Sequence, residues 1–170
     1  MGGHRPSLKK KIKTLKGCNT MGQSLVQNYI HIVFSTKYRQ EFIFPPYEQE
    51  LHAYIGGICN ELECTVLIVG GYTNHIHILC MLSKKIALMT LVQKIKANSS
   101  KWIKTKDKSL GNFFWQDGYG AFSVNPSEVD VVINYIKNQH QHHRKKDFKE
   151  EYRQFLEKYK VDYDEKHVWE

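Results

Sequence analysis

Two histidines, His75 and His77, stand one residue apart in the run Gly71-Tyr72-Thr73-Asn74-His75-Ile76-His77-Ile78-Leu79. Successive side chains of a β-strand point to opposite faces, so in a strand both imidazoles share one face while Ile76 and Ile78 take the other. That spacing brings two ring nitrogens within reach of one metal ion. Downstream, Tyr135 and Gln139 are four apart in a helical pattern and would rise from one helix face. A metal-binding imidazole pair beside a tyrosine and a helical glutamine points to chemistry on phosphodiesters. Each piece also has a plainer reading. A lone strand histidine is more often a satisfied polar residue, although burying two where Val or Ile would serve costs desolvation unless both are paired. Tyr135 flanks the stripe Val129, Val132, Ile133 and Ile136, where a tyrosine usually only packs. His31, between Ile30 and Ile32, is open to two readings, a third histidine of the site or a polar edge of the first strand.

The elements that must hold these residues follow from periodicity and breakers. Residues 26–36 are β-branched and aromatic and predict a strand. Pro45-Pro46 then opens a helix to about Leu62, with Leu51, Tyr54, Ile55 and Ile58 at helical spacing. A second strand is expected over 65–69, a break at Gly70-Gly71, and a third strand over 75–82. Residues 88–103 predict an amphipathic helix with Leu88, Val92, Ile95, Ser99 and Trp102 on one face and Lys94, Lys101 and Lys104 on the other. A glycine- and aromatic-rich loop over 112–120 leads to a short strand over 121–124, and Asn125-Pro126 starts a helix to about His142. The order β-α-β-β-α-β plus a helix predicts an α+β fold, a ferredoxin-like split βαβ antiparallel sheet with helices on one face. The chain divides into a basic arm over 1–20, a catalytic domain over 21–143 and a charged tail over 144–170, with a second helix suggested by Phe148, Tyr152, Phe155, Leu156 and Tyr159.

Composition excludes more than it assigns. At 170 residues with 41% hydrophobic residues, the chain is long enough to bury a core. No apolar run approaches the roughly 20 residues a bilayer span needs, and the basic start lacks a secretory apolar stretch, so a cytoplasmic protein with no membrane partner is expected. Cys18, Cys59, Cys64 and Cys80 form no C-x-x-C pair and read as buried or indifferent thiols. The net charge of +8 is mostly local, since Arg5, Lys9, Lys10, Lys11, Lys13 and Lys16 lie in the arm. Met21 is an alternative start, so the arm reads equally as an annotation artefact. The basic patch that remains lies over 84–108, where eight lysines meet the single acid Asp107, and the tail's charges cancel.

Together, His75-Ile76-His77, Tyr135 followed by Gln139, and Phe114-Trp115-Gln116-Asp117-Gly118-Tyr119 resemble the single-tyrosine HUH transposases of the smallest bacterial insertion sequences, the IS-two-hundred-like group. REP-associated tyrosine transposases share the plan, and Asn28-Tyr29-Ile30-His31-Ile32-Val33-Phe34-Ser35-Thr36-Lys37 looks like the family's first strand. The resemblance covers about 23–170. It implies that His75, His77 and Gln139 bind a divalent cation, Mg²⁺ or Mn²⁺, and that Tyr135 is the nucleophile forming a covalent 5′-phosphotyrosine. It implies single-stranded DNA with hairpin-forming ends as partner. It also implies a homodimer in which the tyrosine helix of one subunit completes the site of the other. Lys84, Lys85, Lys94, Lys101 and Lys104 are candidates for phosphate contacts, and Trp115 and Tyr119 for stacking on bases, with a solvated helix face as the alternative for the lysines. A non-catalytic nucleic-acid-binding or domesticated protein of the same fold is a competing class, but the sequence has no RNP-like stretch and an RNA module has no need of the His pair. A replication-type HUH nickase fits less well, given the small size and the single tyrosine.

Overall fold

The computed structural model describes residues 24–144 and 146–169; the arm over 1–20, Met21 and Cys18 lie outside them. Four strands, β1 (Tyr29–Ser35), β2 (Thr65–Tyr72), β3 (His75–Met81) and β4 (Gly120–Val124), form one sheet in the order β2-β3-β1-β4. The described pairings are all antiparallel. With helices α1 (Tyr47–Glu61) after β1 and α2 (Leu88–Ile103) after β3, this is the expected split βαβ fold.

The alternation of β1 and β3 divides the molecule. Ile30, Ile32 and Phe34, with Ile76, Ile78 and Cys80, point to one face and pack on Leu51 and Ile55 of α1 and Leu91 and Ile95 of α2. His31 and Val33, with His75, His77 and Leu79, point to the other. That second face is covered by three further helices, α3 (Val129–Lys137), α4 (Gln139–His142) and α5 (Phe148–Lys158). The two helices of the split βαβ unit therefore share one face, as the sequence predicts, and the C-terminal helices cover the other.

Three boundaries also differ, each for a local reason. The first strand begins at Tyr29, because Leu25 and Val26 are exposed and outside the ladder. Gly70 and Gly71 do not end the second strand; they continue it, paired with His77 and Ile76. A Cβ on Gly70 would lie 2.7 Å from Ile136 Cγ2 and 3.0 Å from its carbonyl oxygen, so glycine lets α3 sit directly on β2. The helix expected from Asn125 to about His142 is interrupted. Asn125 caps its entry, its Oδ1 accepting from Ser127 N, but Asn138 (φ −98°, ψ 16°) separates α3 from α4. Tyr135 and Gln139 therefore sit on either side of a break rather than on one continuous helical face.

The stretch read as a charged tail is integrated. Asp147 caps α5, its Oδ1 accepting from Glu150 N at 2.9 Å, and Phe148, Tyr152 and Leu156 pack against Val33 and Phe122 of the sheet. Cys59, Cys64 and Cys80 are free and buried, as expected of core thiols. No described helix is long and apolar enough to cross a membrane.

Candidate active site

The site grows from β3. His75 and His77, both fully buried, project from one face with ring centroids 5.0 Å apart. The two-residue turn before β3 provides the first support, because Asn74 Oδ1 lies 2.8 Å from His75 Nδ1. His31, on the adjacent strand β1, stacks on His77 with its Nε2 2.9 Å from His77 Nδ1. With an N–H on each Nδ1, His75 donates to Asn74 and His77 donates to His31, which leaves both Nε2 lone pairs facing the same space. Between the two readings of His31, the geometry favours neither a ligand nor a strand edge. β1 is a central strand, and His31 stands behind His77 and fixes its ring.

The remaining groups arrive from the helices above. Gln139, buried at the start of α4, places Oε1 3.1 Å from His75 Nε2. Its Nε2 donates to Glu151 Oε1 of α5 at 2.8 Å. Glu151 Oε2 lies 3.6 Å from both His75 Nε2 and His77 Nε2, and 3.2 Å from Nε2 of His143, which follows α4. Tyr135, half-buried at the end of α3, turns its ring edge to His77 with centroids 5.7 Å apart, and Phe155 of α5 packs at 5.6 Å on another side. A cleft of about 220 Å³ beside it is lined by His31, Val132, Tyr135, Glu151, Phe155 and Lys158, among others.

Burial sets the electrostatics. It pushes His75 and His77 down to about 3, assisted at His75 by His77 and at His77 by His143, so both are neutral near pH 7. Burial and His77 hold His31 well below the usual imidazole range. Burial raises the Glu151 carboxyl to about 7, with His75 pulling the other way. His77 Nε2 is buried with no hydrogen-bond partner among the described residues, and at 3.6 Å the Glu151 oxygen is too far to supply one. Neutral imidazoles with a free lone pair, beside an amide oxygen, are a donor set that fits a divalent cation.

Sequence reasoning located His75, His77, Tyr135 and Gln139, and the structure brings all four together. It missed Glu151 and His143. Glu151 occupies a position in the apolar stripe Phe148, Tyr152, Phe155 where a carboxylate is out of place, and that was the available signal. The proposed DNA contacts lie elsewhere. Lys94 and Lys101 belong to α2 and Lys104 caps its C-terminal end, and α2 covers the sheet face opposite the histidines. Lys84 is exposed after β3, and Lys85 pairs with Glu63 at 2.7 Å. Tyr119 is partly exposed, but Trp115 is not available for stacking on a base. It is 6% exposed, edge-on to Phe34 and Phe113, and its Nε1 donates to Ser99 Oγ at 2.9 Å. The most exposed aromatic of this loop is Phe114, with Lys104 Nζ 3.6 Å from its ring centroid. Lys96, also unremarked in the sequence, holds the loop by donating to the carbonyls of Gln116, Asp117 and Gly118 at 2.7–3.0 Å. Burial lowers its ammonium to about 8.

Two solved structures share this fold. A candidate transposase from Deinococcus radiodurans R1 aligns over 71% of this chain and 97% of its own, with a TM-score of 0.55 and 18% identity. A REP-associated tyrosine transposase bound to a REP hairpin aligns over 74% of each chain, with a TM-score of 0.54 and 13% identity. No curated protein matches the sequence. The family model described as transposase IS200 like matches residues 24–139, which run from the approach to β1 through the buried glutamine. This protein therefore belongs to the family of IS200-like transposases.

Proposed function

We infer that this protein cleaves and rejoins single-stranded DNA by transesterification at Tyr135, in support of DNA transposition. A divalent cation, Mg²⁺ or Mn²⁺, would be held by His75, His77 and Gln139. The observation that carries this reading is the convergence of two neutral imidazole nitrogens and an amide oxygen beside a tyrosine ring 5.7 Å from His77. When bound, the cation would polarise the scissile phosphate and stabilise the charge that develops on it. The Tyr135 oxygen attacks phosphorus, forming a phosphotyrosine ester as the bond to the 3′ oxygen breaks, and that oxygen leaves as a hydroxyl. A phenol with an ordinary pKa of about 10 is a weak nucleophile, so it gives up its proton to solvent or substrate as it attacks. Attack of a 3′-hydroxyl on the ester restores a phosphodiester and frees Tyr135, so joining requires no nucleotide cofactor.

The tyrosine and glutamine serve the histidines of their own chain in this reading. Support comes from the 3.1 Å contact between Gln139 and His75 within one chain. A mixture of His75→Ala and Tyr135→Phe proteins is then expected to remain inactive, and recovered cleavage would instead reveal helices exchanged in a homodimer. A hairpin-forming single strand is the substrate that the REP-bound neighbour suggests. Lys94, Lys101 and Lys104 would grip flanking DNA rather than the scissile phosphate, because α2 lies across the sheet from the histidines, and Lys84, Phe114 and Tyr119 are further candidate contacts.

Incubation with Mn²⁺ or Mg²⁺ and labelled single-stranded DNA flanking the gene tests the reading. A covalent protein–DNA adduct is expected, lost in Tyr135→Phe and with EDTA. An adduct that survives either treatment overturns it.

A further inference from the structure

The family match ends at Gln139, yet the buried polar cluster does not. Glu151 lies twelve residues beyond it, on α5, and α5 is anchored by Phe148, Tyr152 and Leu156 so that residue 151 faces the histidines. A carboxyl at 6% exposure is costly to ionise without a cationic partner. Among the described residues Glu151 pairs with no lysine or arginine; its neighbours are His75, His77 and His143.

The distances show what the carboxylate is arranged to do. Its Oε1 accepts from Gln139 Nε2 at 2.8 Å, an ordinary hydrogen bond that turns the amide so its oxygen meets His75. Its Oε2 stands 3.6 Å from the Nε2 atoms of His75 and His77. That is too long for a hydrogen bond. It is close to the separation of two donors sharing one ion: bonds of roughly 2.1 Å place neighbouring ligands about 3.0 Å apart in an octahedron and about 3.4 Å apart in a tetrahedron. His75, His143 and Glu151 each offer a ligand atom, all within 4.8 Å of one another.

We propose that Glu151 Oε2 is a ligand of the divalent cation held by His75, His77 and Gln139, making α5 part of the metal centre. The proposal rests on the metal-dependent reading above and adds to it a fourth, anionic ligand. The centre then carries a net charge of about +1 instead of +2 before substrate binds, because a carboxylate replaces a neutral ligand. A set of two imidazoles, an amide and a carboxylate also favours Mn²⁺ over Mg²⁺, since imidazole suits the softer ion.

Mn²⁺ binding to the full chain, followed by isothermal titration and by electron paramagnetic resonance without DNA, tests this. Wild type is expected to bind one Mn²⁺, and the isosteric Glu151→Gln to bind it at least about tenfold more weakly while keeping its circular dichroism spectrum. Glu151→Asp, which keeps the charge at shorter reach, is expected to fall between them and guards against a folding defect in the glutamine variant. Equal Mn²⁺ affinity in wild type and Glu151→Gln overturns the proposal while leaving the His75, His77 and Gln139 centre standing. Failure of wild type to bind Mn²⁺ at all overturns both. A role in positioning Gln139 alone is separated by the Gln139→Ala background. If Glu151→Gln no longer weakens binding there, the carboxylate orients the amide and the ligand assignment is wrong. If the weakening persists, the ligand assignment holds.

Discussion

The two faces of the sheet are made from alternate residues of the same strands, yet they are built for different ends. On one face Ile30, Ile32, Phe34, Ile76 and Ile78 meet α1 and α2 in an apolar core. On the other, within a residue's rise, His31, His75 and His77 are buried at a desolvation cost that hydrocarbon would avoid. Stability is gathered on the first face and part of it is given up on the second, where strained electrostatics leave lone pairs poised for a cation. Mutations one residue apart should therefore fail in different ways. His77→Ala is expected to lower adduct formation by about 10³-fold or more, a loss of several kcal/mol of transition-state stabilisation, with little change in melting temperature. Ile78→Ala should cost about 2–5 kcal/mol of stability, while the molecules that remain folded still form adduct. Thermal unfolding run beside the adduct assay decides it. Matching losses of stability in the two variants would erase the distinction between the faces.

The contrast explains what the sequence could disclose. Strand alternation is a period-two signal, so the sides of His75, His77, Ile76 and Ile78 were readable from order alone, as was the split βαβ plan. What escaped notice depends on contacts between distant segments. The glycines at 70 and 71 resemble a break, and only the approach of Ile136 shows why the strand needs a residue without Cβ there. Asn138 interrupts a helix that its own propensity does not forbid, its Nδ2 bonding back to Asn134 O. Glu151 was hidden among the tail's eight acids, and its one mark was a place in the stripe of Phe148, Tyr152 and Phe155. The apolar spacing of Phe148, Tyr152, Phe155, Leu156 and Tyr159 gave α5 as a helix, but not the sheet face it packs against, which depends on Val33 and Phe122.

Glycine substitutions sharpen the same comparison at the level of backbone. Gly70 has Ile136 against it, whereas a Cβ on Gly57, on the exposed side of α1, meets nothing within 4 Å. Gly70→Val should push α3 away from β2 and cost about 1–3 kcal/mol, displacing Tyr135 and lowering adduct yield as well. Gly57→Ala should instead stabilise the protein by about 0.5–1 kcal/mol by favouring the helix, with no effect on the adduct. Denaturant titration of both variants gives the sign of each change. A neutral Gly70→Val would mean that α3 is not seated as described.

Acid sensitivity should reside mainly in the histidine face, with a contribution of the same sign from His52 on α1, which burial also lowers. His75 and His77 are held at about 3 in the folded protein, against an ordinary value of 6.5. Between those pH values the unfolded chain binds more protons, so the stability is intact above about 6.5 and declines as pH falls toward 3. His31 and His143 are shifted in the same direction. Glu151, raised from 4.5 to about 7, acts oppositely, stabilising below 4.5 and losing that contribution as pH rises through 7. Several imidazoles outweigh one carboxyl, so the metal-free protein should melt higher at pH 7 than at pH 4. Calorimetry in EDTA should show this slope flattened in His77→Ala and unchanged in Ile78→Val.

A modest effect is expected at Trp115, where the division between core and exposed surface runs between neighbouring residues. Trp115 faces inward, and its indole N–H satisfies Ser99 Oγ, which itself donates to Ile95 O at 2.6 Å. Trp115→Phe keeps an aromatic ring against Phe34 and Phe113 but removes that one hydrogen bond. Since Ser99 retains its bond to the helix carbonyl, the lost hydrogen bond should cost about 1 kcal/mol, with a further cost for the space left by the smaller ring. A ring with no exposed face cannot stack on a base, so single-stranded DNA affinity should be unchanged in this variant. Phe114→Ala, one residue away, should spare stability and weaken DNA binding where Lys104 caps its ring. Fluorescence anisotropy with single-stranded DNA measures both. If Trp115→Phe loses affinity and Phe114→Ala does not, the loop turns over when DNA binds and Trp115 belongs to the interface after all.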